Sequence, residues 1–311
     1  MPRFLWHLCR LVRSGIRGRR QFRRLLKSPM ITADQVDFYH SQGYLAVEQV
    51  LTTDEVQELR RVTDEFVERS RQLTDHDDVY DLEPDHSPQN PRLRRIKQPN
   101  EQHSAYDRTL RHPVILDIVA QLIGPGIRHQ NTKLNLKSPN FGSPVQWHQD
   151  WSFYPHTNDD ILAVGVAIDE MTIDNGCLLV IPGSHRGPVH DHHQDGVFVG
   201  AVTDAEFSDD QIVPITVAAG GITLHHARTL HASARNTSAH ARRLLLMEMV
   251  AVDAWPLTGF GDYEQFNARI LRGEPTNQPR VEIVPVRIPE PKHERGGSIY
   301  EVQTKLKRTA F

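Results

Sequence analysis

ILAVGVAID (residues 161–169), GCLLVIPGSH (176–185), IVPITVAAGGITLHH (212–226) and RRLLLMEMVAV (242–252) follow one another in the second half of the chain. Each is a short apolar run dense in Val, Ile or Leu and interrupted or bounded by Gly, Pro, Asn or Asp. β-Branched residues suit a pleated, buried surface and the punctuating residues suit turns, so these runs read as several short strands at close spacing. That pattern predicts an all-β sandwich or barrel, and no internal repeat accompanies it.

Upstream of Gly126 the period changes. Thr32 with Gln35 and Thr52 with Glu55 have capping-box spacing. They predict helices over 33–42 and from Thr52 to about residue 72, the second with Val56, Leu59, Phe66 and Val67 on one face. YLAVEQVL (44–51) between them reads as a strand. Pro113 in a first turn, Ile115, Ile118, Val119 and Leu122 inside, and Gly124 at the end define a further helix. Residues 74–92 are acidic and proline-rich and predict an irregular surface loop. Past Trp255, GDYEQFNARILRG (261–273) reads as a short helix, and VEIVPVRIPEP (281–291) as an edge strand or extended tail.

With 311 residues, 38% apolar and 24% charged, the chain can fill a core. No apolar run approaches the roughly 20 residues that cross a bilayer, since Arg10, Arg13 and Arg17 interrupt the most apolar N-terminal stretch, so no integral membrane association is expected. Two cysteines, Cys9 and Cys177, are too few for a disulfide framework or a thiolate zinc site and favour a reducing, cytoplasmic setting. The net charge of −3 hides an asymmetry: residues 1–30 hold nine Lys or Arg and no acid, leaving 27 bases against 39 acids elsewhere. A globule that acidic is a poor ligand for nucleic acid. In the first thirty residues Leu8, Leu11, Val12 and Ile16 face one way, and Arg10, Arg13, Arg17, Arg20 and Arg24 another. A basic amphipathic helix there would be a membrane-surface anchor or a mitochondrial presequence, against a plain upstream extension with Met30 as initiator.

His-x-Asp occurs three times, as His76 with Asp78, His148 with Asp150, and His193 with Asp195. Among 18 histidines chance copies are expected, so the surroundings must choose. The first lies in the acidic loop, the third in HDHHQD (190–195), a polar stretch expected to face water. The second lies in SPVQWHQDWSFYPHTNDD (143–160), where Val145, Trp147, Trp151 and Phe153 can wall a pocket from solvent. Residues two apart on an extended chain share a side, so His148 and Asp150 can converge on one ion. The stretch from GGITLHH through HARTLHASARN supplies His225, His226 and His231; a second imidazole with one carboxylate makes the facial triad of a non-haem Fe(II) oxygenase.

Charge then calls for an arginine. Fe²⁺ on one aspartate leaves a single positive charge, which the chelating C1 carboxylate of 2-oxoglutarate neutralises. Its far carboxylate remains a buried anion that needs a fixed cation, and arginine offers a bidentate fork. Arg242, opening RRLLLMEMV, fits; Arg243 would face the other way. Three protein ligands leave three of six octahedral positions, enough for bidentate 2-oxoglutarate and O₂. Oxidative decarboxylation would yield succinate, CO₂ and an oxidant that removes a substrate hydrogen.

Three segments together, SPVQWHQDWSFYPHTNDD, NGCLLVIPGSHRG (175–187) and TLHASARNTSAHARR (229–243), resemble the phytanoyl-CoA dioxygenase family of Fe(II)- and 2-oxoglutarate-dependent oxygenases. The resemblance implies a mainly β (α+β) fold, a double-stranded β-helix (jelly-roll, cupin-like) core with flanking N-terminal helices, over 31–252. Residues 1–30 would be a basic extension and 253–311 a C-terminal extension. It implies His148, Asp150 and His231 as iron ligands and as the catalytic centre. It gives Arg242, eleven residues past the distal histidine, the far carboxylate of 2-oxoglutarate, with Ser233 beside it. Asn135, thirteen before His148, would take the co-substrate amide role, and Lys133 shares its face. RRIKQP (94–99) resembles a segment whose basic residue reaches co-substrate or substrate, with Arg95 and Lys97 both open. Val166 aligns where some members have a tryptophan on the co-substrate wall. Retention of Asp150 implies hydroxylation, where halogenating relatives replace that acid. The implied activity is hydroxylation of an unactivated C–H bond of a small organic substrate.

The alternative is a cupin-like zinc isomerase or hydrolase without 2-oxoglutarate, which would have no need of Arg242. Trp147, Trp151, Phe153 and Tyr154 read as core sooner than substrate platform. His190, His192 and His193 read as a surface loop, His225, His226 and His240 as structural, and Lys137, Asp159 and Asp160 as turn or surface residues.

Overall fold

Thr32 and Thr52 each accept a hydrogen bond from the backbone N–H three residues on, while Gln35 and Glu55 reach back to the cap N–H, so both capping boxes form. They open α1 (Ala33–Gln42) and α2 (Thr53–Arg69). The structure is a computed structural model that describes residues 31–292 and 298–311; the basic N-terminal stretch lies outside them. Gly43 ends α1 at φ 79°, a left-handed conformation that glycine adopts without steric cost. Further helices are α3 (Pro99–Gln102), α4 (Ser104–Leu110), α5 (Pro113–Ile123), α6 (Tyr263–Ala268) and α7 (Ile299–Val302).

The strands are β1 (Tyr44–Val47), β2 (Tyr80–Leu82), β3 (Leu93–Lys97), β4 (Ile127–Lys137), β5 (Val145–His148), β6 (Ile161–Ala167) and β7 (Leu178–Val180), then β8 (His193–Gln194), β9 (Val197–Phe198), β10 (Val213–Ile215), β11 (Ile222–His226), β12 (His231–Ser233), β13 (Arg242–Ala251) and β14 (Ile270–Arg272). One antiparallel sheet of eight strands runs β1-β11-β6-β13-β4-β3-β2, with β14 on β4; a second of four runs β10-β7-β12-β5. Residues of both sheets line one cavity, the arrangement of a double-stranded β-helix.

Alternation along the strands of the large sheet separates two environments. Leu134 and Leu136 on β4, Leu162, Val164 and Val166 on β6, Ile222 and Leu224 on β11, and Leu245, Met247 and Met249 on β13 pack with Val56, Leu59 and Phe66 of α2 and with Ile115, Ile118 and Val119 of α5. Full burial of such a side chain contributes about 1.5–3 kcal/mol, which makes this helix-covered face the anchor of the fold. The intervening residues, Lys133 and Asn135, His225, and Arg242, Leu244 and Leu246, line the cavity. Val166 therefore belongs to the helix-side core and not to a co-substrate wall; its inward neighbour Gly165 has room for no side chain, since a Cβ there would lie 2.6 Å from Thr223 Oγ1.

Some expectations change in detail. The acidic loop contains β2, which pairs with β3; its end is held where Leu82 N–H donates to His76 Nδ1 at 2.9 Å. The strand predicted over 44–51 stops at Val47. Residues 281–291 run without a ladder partner of their own, as proline punctuation favours. No helix among the described residues is long and apolar enough to cross a membrane.

Candidate active site

His148 ends β5 and His231 opens β12, and the antiparallel register puts the two residues directly opposite one another, with ring centroids 4.0 Å apart. Each imidazole donates its Nδ1–H to the carbonyl two residues earlier, His148 to Gln146 at 2.8 Å and His231 to Thr229 at 2.9 Å. That fixes the tautomer and turns both Nε2 lone pairs inward. Asp150, in the turn after β5, has Oδ1 3.7 Å from His148 Nε2 and Oδ2 3.9 Å from His231 Nε2. One donor atom from each of the three lies within 4.8 Å of the others, all buried, which suits a single ion. Imidazole and carboxylate donors on one face, with the opposite side open to the cavity, suit ferrous iron.

The electrostatics prepare these groups for a cation. Burial lowers His148 to about 4 and pushes His231 well below the ordinary histidine value, so both rings are neutral ligands near pH 7. Burial alone would raise Asp150, but Lys133, His231 and His225 hold its carboxyl well below the usual range. His225 Nε2 lies 3.3 Å from Asp150 Oδ2, and its ring is 4.3 Å from that of His231. His225 lines the cavity; sequence reading took it as structural, and only its inward parity on β11 could have signalled otherwise.

Arg242 lines the same cavity and is 2% exposed. Its Nη2 donates to Gly176 O at 2.8 Å, while Nε and Nη1 are buried with no partner among the described residues. Two orphaned guanidinium donors away from water are costly unless an anion completes them. Ser233 lines the cavity as well. Lys137, cross-strand from Arg242, donates to the carbonyls of Ser233 and Ala234; burial and Arg242 push its ammonium well below the usual lysine value. A far carboxylate of 2-oxoglutarate fits this cationic group. Asn135 and Arg95 face each other across β4 and β3, and Arg95 Nε donates to Asn135 Oδ1 at 3.2 Å while its Nη2 is unpartnered.

The structure separates several pairs that the sequence left open. Arg95 lines the cavity, whereas Lys97 pairs with Asp81 at 2.9 Å and donates to Asp77 O at 2.7 Å, outside it. Arg243 points away, onto Asp169 and Asp64. Lys133 lines the cavity but is bound to Glu248, at 2.8 Å. Trp147 and Trp151 do not wall the cavity: Trp147 packs with Ile181, Leu230 and Phe207, and Trp151 with Ile161 and Ala254. His192 is buried, not in water, and accepts from Gln149 N–H at 3.0 Å, a bond that holds the turn between His148 and Asp150. Asp159 pairs with Arg228 and Asp160 with Arg280, both away from the iron ligands.

Fold and site together define an oxygenase that couples iron to 2-oxoglutarate. The chain belongs to the phytanoyl-CoA dioxygenase (PhyH) family, whose model matches residues 39–244. It is 36% identical over 281 residues to a probable alpha-ketoglutarate-dependent hypophosphite dioxygenase of Stutzerimonas stutzeri, covering 88% of this chain and 98% of that one. It is 25% identical over 238 residues to the peroxisomal phytanoyl-CoA dioxygenase of Rattus norvegicus, covering 72% of this chain and 70% of the relative. EctD from S. alaskensis, solved with Fe and also with 2-oxoglutarate and 5-hydroxyectoine, superposes with a TM-score of 0.63 at 25% identity, covering 83% of this chain and 90% of that one. The protein is a 2-oxoglutarate-dependent non-haem iron dioxygenase, with Fe(II), 2-oxoglutarate and O₂ as its cofactor and co-substrates. The zinc isomerase or hydrolase alternative is set aside.

Proposed function

We propose that the enzyme hydroxylates an unactivated bond to hydrogen in a small substrate, consuming 2-oxoglutarate and O₂ and releasing succinate and CO₂. The observation that carries this reading is the pair of orphaned, buried Arg242 donors in the same cavity that the His148–Asp150–His231 cluster lines. In this reading those three side chains hold the iron, which supplies the site for O₂ activation. Arg242 and Ser233 fix the far carboxylate, and Asn135 and Arg95 flank the co-substrate. The Nδ1–H bonds to Gln146 and Thr229 keep both imidazoles aimed without reorganisation, and the β-sheet walls exclude water from the reacting end.

A C–H bond of a small organic molecule is the substrate class that the sequence resemblance supports. A second class is favoured by a specific observation. At this cavity Fe²⁺, Arg242, Arg95 and Lys133 outweigh Asp150, Glu248 and a 2-oxoglutarate dianion by one positive charge. Lys137 does not line the cavity and is left out of that balance. A buried net cation favours a small anion, and the Stutzerimonas relative is named for one, hypophosphite. The partner in either case is a small molecule. Two cysteines, of which Cys177 is buried and free, support a cytoplasmic setting.

The test loads the protein anaerobically with Fe(II), adds 2-oxoglutarate and O₂, and measures succinate with and without candidate substrates. Succinate release that disappears in His148→Ala supports the reading, and its absence with every substrate overturns it. Stimulation by hypophosphite and not by carboxylic or amino acids selects the small inorganic anion over an organic substrate.

A further inference from the structure

Residues 298–311 lie beyond the family match, yet they are bonded into the site. Ser298 and Glu301 form a capping box that encodes the turn of α7 locally. Ile299, Tyr300 and Val302 are buried against Val145 at the start of β5, and Ile299 lines the cavity. Gln303 Oε1 accepts from Gln146 N–H at 3.1 Å, and its amide donates to Gly200 O at 2.9 Å. Ala310 N–H donates to Gln146 Oε1 at 2.6 Å. Gln146, whose carbonyl orients His148, is thus held at both its backbone and its side chain by the C-terminal segment.

Tyr300 is 6% exposed, and its ring stands beside two guanidinium groups, 4.9 Å from Arg94 and 5.3 Å from Arg95. Arg94 is already paired with Glu83. Among the described residues Arg95 hydrogen-bonds Asn135 and keeps a buried, unpartnered Nη2 at the cavity. A ring face at this distance attracts a cation and fixes its side chain without using its N–H donors. Burial raises the phenol above its ordinary value, so at neutral pH it adds no negative charge that would compete with an incoming carboxylate.

We propose that Tyr300 is a positioning residue for the co-substrate: its ring holds the Arg95 guanidinium at the cavity wall, so that 2-oxoglutarate binding depends on the C-terminal segment. The proposal rests on the reading of this cavity as the 2-oxoglutarate site. It places outside the matched family region a determinant of co-substrate affinity.

Calorimetric titration of 2-oxoglutarate into the anaerobic Fe(II) protein, with thermal unfolding alongside, tests it on native protein, Tyr300→Phe, Tyr300→Ala, Arg95→Gln and the Tyr300→Ala/Arg95→Gln double variant. Tyr300→Phe keeps the ring and should bind within about twofold of native, while Tyr300→Ala and Arg95→Gln should each weaken binding about tenfold. The double variant should be no weaker than the worse single one, because both changes remove the same contact. Fully additive losses, or a lowered Tm in Tyr300→Ala with unchanged affinity, overturn the proposal and leave Tyr300 a packing residue. Native protein that binds no 2-oxoglutarate would instead remove the reading of the cavity itself, and this proposal with it.

Discussion

Lys133 Nζ donates to Glu248 Oε1 at 2.8 Å inside the barrel, and Asp150 lies close enough that its charge, with that of Glu248, holds the buried ammonium above its ordinary value. The two residues sit on neighbouring strands with their side chains 16% and 2% exposed. Removing one partner of such a pair costs about 3–5 kcal/mol because the other is stranded, whereas replacing both is near neutral. Lys133→Met should therefore lower the urea midpoint strongly, and Lys133→Met/Glu248→Gln should recover most of the loss. An equal loss in both variants would show that the pair does not act as a unit.

The acid side of the stability profile follows from buried neutral histidines. Burial lowers His129 and His156 to about 4. In the unfolded chain histidine titrates near 6.5, so between these values the unfolded state binds more protons. The stability these residues contribute is complete above about pH 6.5 and is lost as pH falls toward about 4, by at most ~1.4 kcal/mol per pH unit per group. Urea unfolding of metal-free protein at about pH 5 and 7 reads this slope. His156→Asn, whose amide keeps a donor at the Nδ1 position for the Tyr154 carbonyl, should flatten it.

Gly43 connects the end of α1 to an iron-ligand strand. Its carbonyl accepts from Thr229 Oγ1 at 2.8 Å, and Thr229 O receives the Nδ1–H of His231. A Cβ at Gly43 would stand 2.5 Å from Thr229 Oγ1 and 2.4 Å from His185 Nδ1, at a φ of 79° that disfavours any side chain. Gly43→Ala should displace Thr229 and loosen the aim of His231. Loss of an orienting partner typically weakens metal affinity about 10- to 100-fold, so competition with a chelator should show an effect of that order while the variant still folds. Unchanged iron affinity would mean that the Thr229 carbonyl is fixed by β12 alone.

The strands of the barrel and the main helices were legible because their signals are local: short apolar runs bounded by turn residues, capping boxes, and glycine at a helix end. The cluster His148, Asp150 and His231 was legible because two of its members lie two residues apart and the third follows a strand. His225 was not, because its place beside Asp150 arises from β11 lying across the large sheet while Asp150 belongs to the turn after β5. Trp147 and Trp151 are core, as their reading favoured, and neither walls the cavity: strand alternation turns Trp147 away from His148, and the Asp150–Ser152 turn carries Trp151 into a separate apolar cluster. Tyr300 and Gln303 could not be read at all, since nothing in a short C-terminal turn says which strand it will meet. Where neighbouring side chains alternate between core and cavity, one position decides the face, and Val166 falls on the core side.

In the proposed reading, Arg242 sets which 2-oxo acid the cavity accepts. Its unpartnered Nε and Nη1 are buried, so in protein without co-substrate they are a cost that only an anion beside them relieves. A charged hydrogen bond contributes about 1.5–3 kcal/mol, and losing a bidentate pair should weaken 2-oxoglutarate by roughly a hundredfold or more. Pyruvate, which has the chelating keto acid but no far carboxylate, loses nothing it had, so Arg242→Ala should narrow the preference for 2-oxoglutarate over pyruvate instead of weakening both alike. Arg242→Lys, with a point charge in place of the fork, should fall between. Removing a buried cation also relieves the orphaned donors and the repulsion with Lys137, so the Tm of Arg242→Ala should hold or rise while KM for 2-oxoglutarate climbs. A variant that loses 2-oxoglutarate and pyruvate affinity equally would place Arg242 in the framework of the site and not at the carboxylate.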